Sequence, residues 1–559
     1  MTASTAQVDN SLDAILVHLG DFGKYQIYVF SLVCAAMVMH SMVHIAYVFT
    51  AMDLNYRCQI PGCDPTDHPT YAAPWLSNAI PYTNDSPEKC SMYAPFRNET
   101  GLRNCTAVNF NRNKVKRCDS FVYQGLEKTI VTEYNLQCDN NLWKLTLVGT
   151  INNIGQFFGL IISGFLSDRY GRKVVLVWGM VICGICGCIR ALMPTYEWFL
   201  LFEFLDAAFG SGSYICGFVL GVELVGPKKR VLTGTIISSC YAVGEIAVAV
   251  AAWTVKSWKP LIFISYLPAL FTISYLWIIP ESIRWHLSKG RIEEAKTTLR
   301  KLAKVNGKEI SDKELEVLDS AVTDTTSGRL EKRENSALQA LKSSILMIRL
   351  VACCFCWITC TFLFYGLTLN SVSLVAGNNY LDFILTSLVE VPAYFACNFV
   401  VEKYGRKKTL LFSYWLTGAA CLAFIFIPTA SRWGSLTIYL LGKFGATASF
   451  TILYVLTSEM FPTNLRHSFM GTCSTFGRIG SMISPQTPLL AQLWESLPLI
   501  SFSAMSILAG LLTMIFPETL HKKLPDTVKE AEDIGNVIPM TTIETDRPSV
   551  DKQNVLEKY

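Results

Sequence analysis

The chain has 559 residues, of which 51% are hydrophobic and only 16% charged, with a formal net charge of +4 and a mean hydropathy of +0.33. Soluble proteins carry about 25% charged residues, so the composition excludes an ordinary soluble globule, and the near-balanced charge gives no reason to expect a nucleic-acid partner. The apolar residues fall in runs close to the roughly 20 needed to cross about 30 Å of hydrocarbon, which predicts an integral membrane protein with the lipid bilayer as its first partner.

In chain order, residues 1–25 are expected to form a cytoplasmic N-terminus. "MTASTAQVDNSLDAILVHLGDFGKYQ" has acidic residues and no basic stretch followed by a cleavage site, so the first apolar run is expected to remain in the protein. Twelve spans are predicted, at 26–50, 145–166, 174–193, 199–221, 232–254, 259–279, 346–369, 378–401, 409–428, 434–457, 467–490 and 496–516. The expected fold class is therefore an all-α membrane protein. It divides into an N-terminal six-helix bundle (26–279, with a large loop at 51–144), a helical linker (280–345), a C-terminal six-helix bundle (346–516) and a tail (517–559).

Basic residues set the expected orientation. Arg169, Arg172 and Lys173 follow span 2, Lys228, Lys229 and Arg230 follow span 4, Lys403, Arg406, Lys407 and Lys408 follow span 8, and Arg466 follows span 10. Short loops rich in Lys and Arg stay in the cytosol, whereas long loops cross regardless of charge. Both termini and the basic linker ("RIEEAKTTLRKLAK") are thus expected inside and the 51–144 loop outside. The loop holds Cys58, Cys63, Cys90, Cys105, Cys118 and Cys138. Six cysteines in an oxidising compartment suggest three disulfides, with fifteen pairings open. It also holds three N-x-S/T acceptors, Asn84, Asn98 and Asn104, consistent with a folded, glycosylated ectodomain. The remaining thirteen cysteines fall in predicted spans, where a thiol packs as a small apolar group. The end of the tail, "NVIPMTTIETDRPSVDKQNVLEKY", is polar and expected to be disordered.

The two halves repeat. "GFLSDRYGRK" after span 2 corresponds to "NFVVEKYGRKK" after span 8, "VLGVELVGPKKR" at span 4 to "VLTSEMFPTNLRH" at span 10, and "IIPESIRW" after span 6 to "IFPETLHKK" after span 12. Three aligned pairs mark a duplicated six-helix unit, an arrangement that places a site between the repeats near the membrane midplane. The candidate gate residues are Asp168, Arg169, Gly171, Arg172, Glu223, Glu402, Arg406, Glu459 and Arg466. Gly171 permits a tight bend, Asp168 can meet arginines at neighbouring helix ends, and ion pairs between the halves are expected to lock the inner gate in one state. The competing reading is charge that only sets topology.

"GFLSDRYGRK" resembles the signature loop of the major facilitator superfamily. The six-cysteine first loop, "PESIRW", "YGLTLN" (Tyr365–Asn370), "VEVPAY" (Val389–Tyr394), "GKFGATASFTILYVLTSEMFPT" (Gly442–Thr463) and "LPDTVKEAED" (Leu524–Asp533) together resemble the organic cation, organic anion and carnitine transporter family over about residues 15–535. The likeness is nearest to the carnitine and ergothioneine type. It implies a multi-pass plasma-membrane transporter of small organic ions, not an enzyme. Consistently, no nucleotide-binding glycine loop, nucleophile motif or metal-ligand cluster stands out, and no cofactor is expected.

A charge inside a membrane span is a functional candidate by default. The candidates are Glu203 and Asp206 in span 4, Glu245 in span 5, Glu390 in span 8 and Arg478 in span 11, with His40 and His44 in span 1. Arg478 lies roughly 17 Å along its helix from Arg466 at about 1.5 Å per residue, near mid-membrane. A guanidinium there can grip a carboxylate through two parallel hydrogen bonds. The resemblance implies the same, since cation-only members carry an acid at this position. The alternative is a structural pair with Glu390 or Glu245. An acid beside aromatics suits a substituted ammonium, which makes Glu390 with Tyr241, Tyr365, Tyr394 and Tyr454 the expected cation end of a zwitterion site. Against the family pattern, Glu203 stands where an Arg is usual, Asp206 adds an acid and Glu245 stands at a commonly uncharged place. These acids are expected to make the N-terminal half negative, favouring cations and zwitterions, and to be able to carry protons. His40 replaces a polar Asn of the carnitine branch, which leaves sodium or proton as the coupling ion open. An organic-anion exchanger using Arg478 alone and a non-transporting receptor are the alternatives; the physiological substrate and oligomeric state are not readable.

Overall fold

The computed structural model describes residues from Ala3 to Ile534, leaving out 66, 68, 84, 85, 97–104, 312, 313, 316, 317, 319–338, 375–377, 429, 430, 464, 523 and 526. Among these residues ten helical stretches are long and apolar enough to cross a membrane: Lys24–Thr50, Asp139–Tyr170, Arg172–Arg190, Tyr196–Glu223, Pro227–Val255, Trp258–Ile278, Ser344–Val372, Asn379–Tyr404, Arg406–Ile425 and Arg432–Met460. They correspond to predicted spans 1–10. Span 11 is the helix Arg466–Ile483, and span 12 is Leu497–Thr513. Both fall short of the other ten for physical reasons. Span 11 is diluted by Arg478, glycines and hydroxyl side chains, and it tightens into a 3₁₀ turn at Ser484–Gln486, where Pro485 has no N–H to continue the α-helical ladder. Span 12 is seventeen residues of helix.

Each half has its own apolar core. In the N-terminal half Leu12, Val33, Met37, Leu176, Met180, Leu220 and Ile237 are buried together, and in the C-terminal half Trp357, Leu363, Tyr414, Leu453, Met460 and Phe502 are. Spans 2 and 4 touch backbone to backbone: a Cβ on Gly159 would collide with the Ala208 carbonyl. Membrane helices gain close van der Waals contact this way, because lipid supplies no hydrophobic drive between them.

The fold is mostly helical, as expected, and the disulfide-rich domain expected after span 1 adds short strands to it. This domain contains three two-stranded antiparallel sheets, including Tyr56–Cys58 with Phe121–Tyr123 and Ser91–Pro95 with Phe110–Arg117. The six cysteines all pair, as Cys58–Cys118, Cys63–Cys105 and Cys90–Cys138. Arg57, fully buried, makes two hydrogen bonds to Asp64, at 2.8 and 2.7 Å. A Tyr56 hydroxyl that accepts from the Cys138 N–H at 2.6 Å ties this small domain to the start of span 2. Asn84, Asn98 and Asn104 lie outside the described residues.

At the opposite end, the linker forms helices Ile283–Ser288 and Ile292–Asn306. The second buries Ala295, Leu299, Leu302 and Ala303 and presents charge on its other face. Asn306 fastens it to span 1, accepting from the Tyr25 N–H at 2.9 Å and donating to the Gln26 side chain at 2.8 Å. A tail helix, Val528–Asp533, is held by Arg349, whose guanidinium donates to the Ala531 carbonyl at 2.6 Å.

Candidate functional site

The repeated motifs build two matching turns at the linker end. Gly171 and Gly405 stand at φ +109° and +94°, a region other residues rarely adopt. Each turn wraps around a carboxylate from the last motif of its own half. Glu281 accepts from the Arg172 N–H at 2.9 Å and the Lys173 N–H at 3.1 Å. Glu518 accepts from the Arg406 N–H at 2.9 Å and the Lys407 N–H at 3.2 Å. Arg172 pairs with Asp168 at 3.2 Å, and Arg406 grips Glu459 through two contacts at 3.1 and 3.2 Å. Glu223 accepts from the Ser282 hydroxyl, Arg169 lies over the Tyr170 ring, Glu402 is exposed, and Arg466 opens span 11. The pairs named here lie within one half in this conformation, whereas the sequence leads one to expect pairs between the halves in one of the two states. Topology explains it: each turn sits beside the ends of its own half's fourth and sixth spans. Glu281 and Glu518, the acceptors that organise both turns, stand in the "PES" and "PET" repeats, so the duplication itself marks both positions.

The halves meet at the end that carries the disulfide-linked loop. Phe49 of span 1 packs on Phe383 and Tyr380 with centroids 5.0 and 5.8 Å apart, and Trp253 of span 5 stacks on Tyr380. Thr150 of span 2 donates to the Met482 carbonyl at 3.0 Å and accepts from Gln486 at 2.7 Å. This end is shut by aromatic packing and interlocked polar side chains.

Below that seal, side chains of both halves converge. His44 accepts from Gln156 and, with its other nitrogen, meets the Tyr241 hydroxyl. Its ring also abuts Tyr365 edge-on at 6.0 Å, and His40 lies over Tyr214 at 5.8 Å. From the other half, Arg478 is half-buried beside the Tyr365 hydroxyl and faces Tyr454, His40 and His44. Tyr454 is 39% exposed and packs against Trp357 at 4.4 Å. Among the described residues no carboxylate pairs with Arg478, so the structural pair weighed from the sequence is not made in this conformation.

The buried acids are arranged otherwise than the sequence suggests. Glu390 is fully buried in an ion pair with Lys443 at 2.7 Å and accepts from the Tyr394 hydroxyl at 3.2 Å. Lys443 also donates to Thr368 at 2.6 Å and to the Phe364 carbonyl at 3.1 Å, with its ammonium 3.6 Å from the Phe364 centroid. Glu203 and Asp206 are both bound by Arg190, at 2.6 Å in the case of Asp206, and Arg190 donates to the Tyr266 hydroxyl at 3.0 Å as well. Asn152 adds a hydrogen bond to Glu203 at 2.8 Å. A guanidinium lies between these two acids and offsets one of their two charges, so the excess of acid that the sequence suggests is reduced to one charge in this group. Arg190 and Lys443 fall inside predicted spans 3 and 10, so a complete count of charged residues in those windows finds both. Glu245 is fully buried against Ser387 and Glu390, and neither of its oxygens has a well-formed hydrogen bond.

A duplicated bundle of membrane helices, sealed at one end and holding a polar, aromatic-walled site at the junction of its halves, defines a membrane transporter of the major facilitator fold. Residues 112–528 match the family described as "Sugar (and other) transporter". The chain belongs to this family, in its organic cation, organic anion and carnitine branch, solute carrier family 22. It is 31% identical to solute carrier family 22 member 2 of Pongo abelii, covering 94% of this chain and 95% of that one. It is 30% identical to the organic cation transporter protein of Drosophila melanogaster (94% and 95% covered) and 30% to solute carrier family 22 member 3 of Mus musculus (94% and 96%). The fold matches the inward-open xylose transporter XylE of E. coli with a TM-score of 0.61 at 15% identity, covering 91% of this chain and 100% of that one.

Proposed function

We propose that this chain is a plasma-membrane transporter of small organic cations and zwitterions, working by alternating access. In this reading the disulfide-bonded loop is outside, and both termini and the linker are cytoplasmic. Arg478 holds a substrate carboxylate, and Tyr365, Tyr454 and Tyr241 surround a cationic head. The carrying observation is the half-buried Arg478 guanidinium, in mid-span, with no protein carboxylate beside it among the described residues. A buried cation without a counter-ion is costly, and a bound carboxylate relieves that cost through two charge-assisted hydrogen bonds. The names of the relatives, organic cation transporters among them, support the cationic side of the reading.

The test is uptake of three labelled probes into cells expressing the chain: carnitine, a carboxylate-free cation such as tetraethylammonium, and a cation-free carboxylate. Carnitine and tetraethylammonium should enter above background, and Arg478→Asp should abolish the first while sparing the second. Equal loss of both in the variant would assign Arg478 to structure. A second reading, organic-anion exchange, is favoured by one feature: the acids are held in buried groups with Arg190 and Lys443, while Arg478 is the charged side chain on the half-exposed wall. Uptake of the simple carboxylate alone would select it.

A further inference from the structure

Glu245 is a fully buried acid with no well-formed hydrogen bond to either oxygen. It comes from span 5 of the N-terminal half. The groups around it are Glu390 and Tyr394 from span 8, Lys443 from span 10, Tyr365 from span 7, Tyr47 at the end of span 1, and Tyr241 one turn earlier on its own helix. Lys443 is the single cation in this group. Its 2.7 Å ion pair is with Glu390, on the same side of the seam between the halves. Two carboxylates therefore share one ammonium where none of the three is exposed to solvent. A second buried carboxylate charge lacks both the counter-ion and the hydrogen bonds that make such a charge tolerable. Close carboxylates that share a site resolve the conflict by keeping a proton on one of them.

We propose that Glu245 holds a proton against Glu390 across the seam between the halves, and that this proton is exchanged for the organic cation during transport. The step balances in charge. One excess negative charge remains on the Glu245–Glu390–Lys443 group, and it is neutralised by a proton in one state and by the substrate's cationic head in the other. The proton leaves to water when the halves part. It has a polar route, because Tyr241 stands beside Glu245 and touches His44, which reaches the half-exposed wall shared with Arg478. Because Glu245 and Glu390 lie on opposite halves, losing the proton sets two like charges against each other and favours opening of the seam. The proposal rests on the cation-transport reading above.

The test uses the full chain in proteoliposomes with the membrane potential clamped and labelled tetraethylammonium as probe. With the inside made one pH unit more acid, one-for-one exchange drives accumulation up to about tenfold over the gradient-free level. In Glu245→Gln the ratio of the two conditions should fall to about one, whatever the absolute rate. Accumulation driven instead by an acid exterior, or a gradient effect that survives in Glu245→Gln, would overturn the exchange. Infrared difference titration of the same vesicles reads the proton without transport: a protonated-carboxyl band of the wild type at neutral pH should be missing from Glu245→Gln, whatever bands the separate Arg190 group contributes to both. If the wild type lacks that band, the site itself is wrong, whereas a band without any uptake rejects the transport reading and the exchange built on it.

Discussion

Replacing Arg190 by Met removes the guanidinium that lies between Glu203 and Asp206 while keeping much of its apolar volume. In the wild type the group is fully buried, bonds both acids and Tyr266, and stacks over the Tyr266 and Phe199 rings at 5.0 and 5.4 Å. After the change Asp206 retains the Tyr266 hydroxyl at 3.2 Å and Glu203 retains Asn152 at 2.8 Å, one neutral donor each. Breaking a buried charge cluster by removing one partner costs about 3–5 kcal/mol. With the six-helix half as the melting unit, about 2 °C per kcal/mol gives a fall of about 6–10 °C in melting temperature. The assay is thermal unfolding of the detergent-purified chain by intrinsic fluorescence at a fixed scan rate, since membrane transporters unfold irreversibly. The triple variant Arg190→Met, Glu203→Gln, Asp206→Asn leaves no charge in this cluster and should recover more than half of the loss. A single variant that melts within a degree of wild type, or a triple variant no better than the single one, would refute the claim that these charges hold one another in place.

The matching turns make a second prediction. Gly171→Ala and Gly405→Ala force a side chain into backbone that costs about 1–3 kcal/mol for residues other than glycine, and the added Cβ meets Glu281 or Glu518. Both variants should lower surface expression, and to a similar degree; an indifferent Gly171→Ala would show that the turn tolerates Glu281 moving. In the loop, opening Cys58–Cys118 by paired Ser substitution releases a 60-residue separation, which chain entropy values at about 4 kcal/mol. Limited proteolysis of intact cells should then cut within 59–117, and wild-type resistance would contradict it. The linker is expected to loosen in acid. Burial, ahead of nearby charges, holds the His286 imidazole below its ordinary range, so the unfolded linker binds protons more readily than the docked one. Stability contributed by neutral His286 is present above the ordinary histidine range and is lost as pH falls through it. Amide exchange of 283–306 should rise between neutral pH and about pH 5, and His286→Gln should flatten that rise.

Which features were legible from sequence follows from the kind of interaction each one uses. Span positions, the duplicated motifs and the cysteine-rich loop are local or periodic signals, and helix boundaries such as Tyr196–Glu223 and Arg432–Met460 sit within a few residues of the predicted 199–221 and 434–457. The strands of the loop were not legible, because two-residue pairs such as Tyr82–Thr83 with Ser86–Pro87 are too short to show an alternating pattern. The break of span 8 at Val389, which separates Asn379–Leu388 from Glu390–Tyr404, is equally silent in the hydropathy. Pairing between spans was the least legible of all. Nothing in "VEVPAY" reveals that Glu390 meets Lys443, which is 53 positions away.

That last gap changes the electrostatic argument about substrate choice. Counted residue by residue, the spans carry an excess of acids that points to cations. Counted by cluster, Arg190 sits with Glu203 and Asp206 in one sealed group, Lys443 sits with Glu390 and Glu245 in another, and among the described residues Arg478 is the charged group on the shared wall. Each sealed group has two acids and one base, so each holds one negative charge more than it can pair. Only the Lys443 group joins the two halves, because Glu245 belongs to one and Glu390 to the other. A charge imbalance inside a single half is blind to the rocking of the halves, whereas one that straddles the seam changes with every opening. The position of an unpaired charge relative to that seam, more than the sum of charges in the spans, decides whether it can couple to transport.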